Sequence, residues 1–116
     1  AGVLSAPTFS FVNALNPSEI AAADLDADGD FDIVTSNSDS NSVSIMENTG
    51  GSLAAGVAMP AGTRPGPSVL ADLDGNGSVD MAVTNRDSNN TTIWLNAGAA
   101  GACTATTASG LTTTPW

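Results

Sequence analysis

The sequence predicts an all-β protein made from one antiparallel unit used twice. Three observations predict it. The acidic stretch Asp24-Leu25-Asp26-Ala27-Asp28-Gly29-Asp30-Phe31-Asp32 returns as Asp72-Leu73-Asp74-Gly75-Asn76-Gly77-Ser78-Val79-Asp80, at an offset of 48 residues. Short apolar runs, β-branched or alternating, flank both copies. No stretch of useful length carries the apolar spacing of a helix. Repetition at a fixed period without insertion is the mark of a repeat architecture.

Taken in order, residues 1–16 read as an extended arm. Phe9 and Phe11 alternate with Ser10 in a half-buried strand pattern, and Pro7 confines the start to an edge or loop. Asn16-Pro17-Ser18 is a turn signal, and Ile20 to Ala23 is a short strand feeding the first acidic loop. Ile33-Val34-Thr35 is the next strand. Residues 37–42 form a turn cluster, and Val43-Ser44-Ile45-Met46 is the returning strand. Asn48-Thr49-Gly50-Gly51 closes the unit, Leu53 to Met59 is a weaker strand, and the Pro/Gly-rich residues 60–67 lead into the second copy. There Val69-Leu70-Ala71 stands on Ala21-Ala22-Ala23, Met81-Ala82-Val83 on Ile33-Val34-Thr35, and Ile93-Trp94-Leu95 on Ile45-Met46-Glu47. The chain divides into an arm or donor strand (1–16), a first repeat (17–64), a second repeat (65–98) and a Thr-rich C-terminal strand or tail (99–116).

The acidic stretches carry the chemistry. Oxygen side chains fall at loop positions 1, 3, 5 and 9, with glycine at position 6, which is the first part of an EF-hand calcium loop without its closing Glu. A hard divalent cation wants six to eight oxygens at roughly 2.3–2.6 Å, which alternate residues of a tight loop supply. Without an ion, carboxylates packed this closely repel one another. Position 7 (Asp30, Ser78) offers its backbone carbonyl.

Composition narrows the functional classes. Twelve acidic residues face two arginines and no lysine, for a formal charge of −10, so nucleic acid and anionic membranes are poor partners. Histidine is absent, which removes the commonest general base, and the carboxylates present are accounted for by calcium; the chain does not read as an enzyme. Aromatics are only 4%, so the core falls to Val, Ile, Leu and Ala, with Trp94 in a core position. Cys103 has no partner in the chain and reads as a small buried residue, or alternatively as half of a disulfide to another chain. No run reaches the roughly 18 apolar residues of a membrane span. The Ala1-Gly2-Val3 start reads as a processed product or a fragment. Low lysine and a millimolar-calcium type of site lean towards an extracellular or cell-surface location.

Together these residues resemble the FG-GAP/VCBS repeat of integrin-type β-propellers, over about residues 7–98. The resemblance implies two propeller-blade-like antiparallel four-stranded sheets, each holding calcium between two strands. It carries Asp24, Asp26, Asp28, Asp30 and Asp32 over as metal ligands in the first copy. In the second it carries over Asp72, Asp74, Asn76, Ser78 and Asp80, a weaker site because Asn76 is neutral. Propellers close with several blades, and repeats need neighbours to bury their faces. Two blades therefore require completion by neighbouring subunits or by more of a longer chain.

The functional expectation is a calcium-stabilised extracellular structural subunit that self-assembles head-to-tail, as fibre or ring, by strand exchange between copies. Phe9 and Phe11 at one end, and Leu111 and Trp116 at the other, are the candidate subunit contacts. The alternative is an adhesion or carbohydrate-binding fragment of a larger propeller, with Trp94 as a sugar platform and surface glycans as ligand. Asn89 and Asn90 fit the N-glycan acceptor pattern, and Thr112, Thr113 and Thr114 form an O-glycosylation candidate, as in a glycoprotein.

Overall fold

A computed structural model describes residues 2–98 and, by its backbone, the strand Thr104–Ala108. The strands run in chain order as β1 (Pro17–Ala23), β2 (Asp32–Asn37), β3 (Ser42–Met46), β4 (Asn48–Thr49), β5 (Ser52–Leu53), β6 (Val57–Pro60), β7 (Pro65–Ala71), β8 (Asp80–Asn85), β9 (Asn90–Leu95) and β10 (Thr104–Ala108). They form two four-stranded antiparallel sheets, ordered β1-β2-β3-β6 and β7-β8-β9-β10, plus the small hairpin β4-β5. No helix occurs among the described residues.

Local chemistry places the turns. Asn41 and Asn89 take left-handed φ of 51° and 54° between β2 and β3 and between β8 and β9. Asparagine tolerates that region because its short polar side chain bonds locally. Gly50 and Gly51 (φ 61° and 86°) turn the β4-β5 hairpin. The weaker strand expected over Leu53 to Met59 is in fact two: β5 pairs with β4, and β6 pairs with β3. Pro17 and Pro65, expected in turn and loop, open β1 and β7, where a register shift spares the ladder their missing N–H.

The blades pack through unlike faces. Pairing of Val34 with Ile45 and of Ser36 with Val43 puts these four residues on one face of the first sheet. Pairing of Met81 with Trp94 and of Val83 with Thr92 defines a face of the second. The single core cluster contains Val34, Val43, Met81, Val83 and Trp94, each 0% exposed. At the 48-residue offset Met81 and Val83 correspond to Ile33 and Thr35, which lie on the opposite face of the first sheet. The two sheets therefore stack head-to-tail, as successive propeller blades do, and not as a symmetric sandwich. Ser36 Oγ donates to the Gly66 carbonyl at 2.7 Å and ties β2 to β7. The expected Val/Ile/Leu/Ala core is supplemented by Met81 and Trp94, which contribute the largest buried side chains.

The arm departs from expectation. Residues 2–16 form no strand, and Phe9 and Phe11 are 87% and 76% exposed, so the half-buried pattern is not realised. The arm instead lies on the blade face opposite the core, held by single hydrogen bonds. The Gly56 amide donates to the Phe11 carbonyl and Ser44 Oγ donates to the Val12 carbonyl, both at 2.8 Å. A Cβ on Gly56 would sit 2.9 Å from the Val12 backbone, so only glycine permits this approach. Within the Thr-rich segment, β10 pairs with β9 of its own chain. Cys103, Leu111, Thr112, Thr113, Thr114 and Trp116 lie outside the described residues.

Candidate metal centres

Each acidic loop joins the first and second strands of its blade: residues 24–32 link β1 to β2, and residues 72–80 link β7 to β8. The sequence winds both loops by local means. Asp24 accepts the amides of Asp28 (3.2 Å) and Gly29 (3.0 Å), and Asp72 accepts those of Gly75 (2.7 Å), Asn76 (3.1 Å) and Gly77 (2.8 Å). Asp26, Asp28, Asp74 and Asn76 each accept the amide two residues on. These are the Asx turns that Asp and Asn make readily. The sixth positions, Gly29 and Gly77, take φ of 97° and 93°, as the sharp turn requires. The fourth position is also left-handed, Ala27 at 64° and Gly75 at 80°, so the first copy carries strain that the second relieves.

This winding gathers carboxylates. Asp24, Asp26 and Asp28 offer oxygens all within 4.8 Å of one another, and so do Asp72, Asp74 and Asp80. The ion pair found among the described residues joins exposed Arg64 to Asp87 at 3.7 Å, away from both loops. The Asp26 carboxyl sits above its ordinary value: the Asp28 amide bond lowers it, but partial desolvation and repulsion from Asp28, Asp32 and Asp24 outweigh that. An all-oxygen donor set with uncompensated negative charge fits a hard cation such as calcium. Bound there, such an ion supplies charge neutralisation and a cross-link between loop ends.

The ninth position plays a further part. Asp32 and Asp80 are 0% exposed. Asp32 accepts the Leu25 amide at 2.8 Å with one oxygen and the Asn48 amide at 2.9 Å with the other. Asp80 repeats this with Leu73 (2.6 Å) and Asn96 (2.7 Å). Each carboxylate thus clasps the start of its own loop to the turn after the third strand. Asp30 Oδ2 accepts the Gly50 amide at 2.6 Å, and Ser78 is half-buried near Gly98. Asn76 Nδ2 donates to Asp74 Oδ2 (3.2 Å) and to the Asn96 carbonyl (2.7 Å).

Sequence reasoning missed three asparagine devices. Asn37 and Asn85 are buried at the ends of β2 and β8. Asn37 Nδ2 bonds Ser42 and Ser44, and Asn85 Nδ2 bonds Asn90 and Thr92. Asn96 Nδ2 reaches the Leu25 carbonyl of the other blade's acidic loop at 2.7 Å. The recurrence of asparagine at the repeat offset, in the two pairs Asn37/Asn85 and Asn48/Asn96, was the available signal. Of the glycan candidates, Asn89 is exposed, whereas Asn90 is half-buried and engaged by Asn85.

Two head-to-tail antiparallel blades, each with a wound acidic loop between its first two strands, define a β-propeller-like repeat protein. The sequence model for the FG-GAP-like repeat matches residues 24–83, more than half of the chain, and the chain belongs to that family. No curated protein and no solved structure matches it.

Proposed function

We propose that the chain is a calcium-stabilised structural subunit of an extracellular assembly, built by strand exchange between copies. One observation carries the reading: each blade gathers three carboxylates within 4.8 Å at the root of its sheet, with no cationic side chain as partner among the described residues. At free calcium about a hundredfold above the dissociation constant, each site adds roughly 2.7 kcal/mol to stability. That is a large share of a small domain's ~5–15 kcal/mol. The ion fixes the ends of the strands on either side of the loop and so their register.

The exposed Phe9 and Phe11 of the arm and the outer face of the second blade, where Val69 is 58% exposed, support self-assembly, since repeats stack to bury such faces. No helix among the described residues is long and apolar enough to cross a membrane. As a carbohydrate platform Trp94 is unavailable, being 0% exposed in the core. Sedimentation and electron microscopy of the native chain, in millimolar calcium and in chelator, test the reading. Rings or fibres that dissolve on chelation are expected; a small monomer with the same melting temperature in both buffers overturns it.

A further inference from the structure

The repeat register runs past the two blades into the arm. The Ser38 amide donates to the Asn16 carbonyl at 3.0 Å, and the Arg86 amide donates to the Arg64 carbonyl at 3.1 Å, 48 residues on. The Leu15 amide donates to Ser40 Oγ at 2.7 Å, and the Thr63 amide to Ser88 Oγ at 2.6 Å. Asn16 and Arg64 share a left-handed φ of 53° and 51°. Residues 15–16 are therefore the connection that enters a blade from the outer strand of the blade before it.

Continued in the same register, residues 9–12 stand where Val57–Pro60 stand, and Val57–Pro60 is β6, an outer strand. Residues 9–12 pair with no strand among the described residues. Met59, the counterpart of Phe11, packs against the core, while Phe11 is 76% exposed. The arm carries the sequence position of an outer strand and pairs with none of the strands described.

An acceptor is present at the other end. The face that Val34 and Ile45 present in the first blade is presented in the second by Ala82 and Ile93, with Val69 beside them 58% exposed. Its edge is held by β10, but one residue out of the repeat register. Thr106 lies opposite Ile93, whereas pairing of Val57 with Ile45 places residue 105 there. The edge of β9 thus receives an outer strand without the pairing that the repeat uses.

We propose that residues 9–12 of one copy are the outer strand for β9 of a second copy, replacing β10 there. The pairing is antiparallel, with Phe9 opposite Ile93 and Phe11 opposite Thr91, the register of β6 on β3. The interface between blades within one chain is then repeated between chains, the Ile93 face of one copy meeting the Ile33 face of the next. Main-chain bonds supply affinity, and Phe11 takes the place that Met59 fills. The contact is heterologous, so it continues from copy to copy. This inference rests on the self-assembly reading above and gives it a register.

The test uses the full chain in saturating calcium. Phe11→Glu places a charge in the proposed interface but on an exposed site of the single copy, so assembly falls at least about tenfold. Its melting midpoint in dilute solution stays within about 4 °C of the native one. Independently, chains carrying Phe9→Cys and chains carrying Ile93→Cys, both with Cys103→Ser, are mixed and oxidised. A disulfide linking positions 9 and 93 of different chains, identified by peptide mass, is expected. If the native chain assembles, yet Phe11→Glu assembles equally well and no such disulfide forms, this inference falls while self-assembly stands. A native chain that stays monomeric at every concentration overturns both.

Discussion

Asp80→Ala separates a carboxylate that braces the fold across a hairpin from one, Asp72, whose bonds stay within its own loop. Asp80 is 0% exposed and accepts the amides of Leu73 (2.6 Å), Asn96 (2.7 Å) and, weakly, Asp74 (3.3 Å). The two short bonds are charge-assisted and contribute about 1.5–3 kcal/mol each. Leu73 is 47% exposed, so water satisfies part of what the substitution leaves open, and the lower end applies, about 3 kcal/mol. In a domain of this size that lowers the melting midpoint by roughly 12–24 °C. The comparison is Asp72→Ala, whose carboxylate is exposed and bonds only within its own loop. Thermal denaturation followed by circular dichroism, in chelator and in saturating calcium, reads both. Asp80→Ala is expected to lose stability in both buffers, and Asp72→Ala chiefly in calcium. Equal midpoints for the two variants in chelator would refute the bracing role.

Further outcomes follow from the same contacts. Asp24→Ala lowers the calcium-dependent part of the melting midpoint by several degrees, whereas Asp39→Ala, on an exposed turn outside the loop, leaves it unchanged; equal losses count against the ligand assignment. Because the Asp26 carboxyl is raised, its charge is unfavourable in the ion-free fold at neutral pH, and that penalty is relieved as pH falls through the folded-state value and is gone below 3.8. Asp26→Asn is therefore expected to raise the midpoint in chelator at pH 7 yet weaken calcium binding by about tenfold, measured by isothermal titration calorimetry. Gly62→Ala places a Cβ 2.6 Å from Asn85 Cγ, a side chain pinned by three hydrogen bonds, and costs about 1–3 kcal/mol in urea unfolding. Ala27→Gly relieves a left-handed backbone at φ 64° and stabilises the chain in chelator by about 1 kcal/mol.

Much of the site was legible because its information is local. An Asx turn needs only a carboxylate and an amide two residues on, and a left-handed turn needs only a glycine at the right place. Hence the loops 24–32 and 72–80 could be read from residue types and spacing. The bracing bonds of Asp32 and Asp80 could not. Their partners Asn48 and Asn96 lie 16 residues away, across a β-hairpin, and nothing in either stretch announces the contact. Phe9 and Phe11 show the converse. Alternation predicts a half-buried strand, but a strand needs an edge to pair with, and none among the described residues accepts this one.

The sequence by itself determined the first three strands of each blade, the two-fold repetition and the acidic loops, since each depends on periodicity or on contacts a few residues apart. Only the tertiary structure decided that the blades stack through unlike faces. Strand alternation says that two faces exist, but not which one meets which. That choice is settled by the packing of Val34 and Val43 against Met81, Val83 and Trp94, residues about a third to a half of the chain apart. It leaves one blade face at each end without a second blade against it.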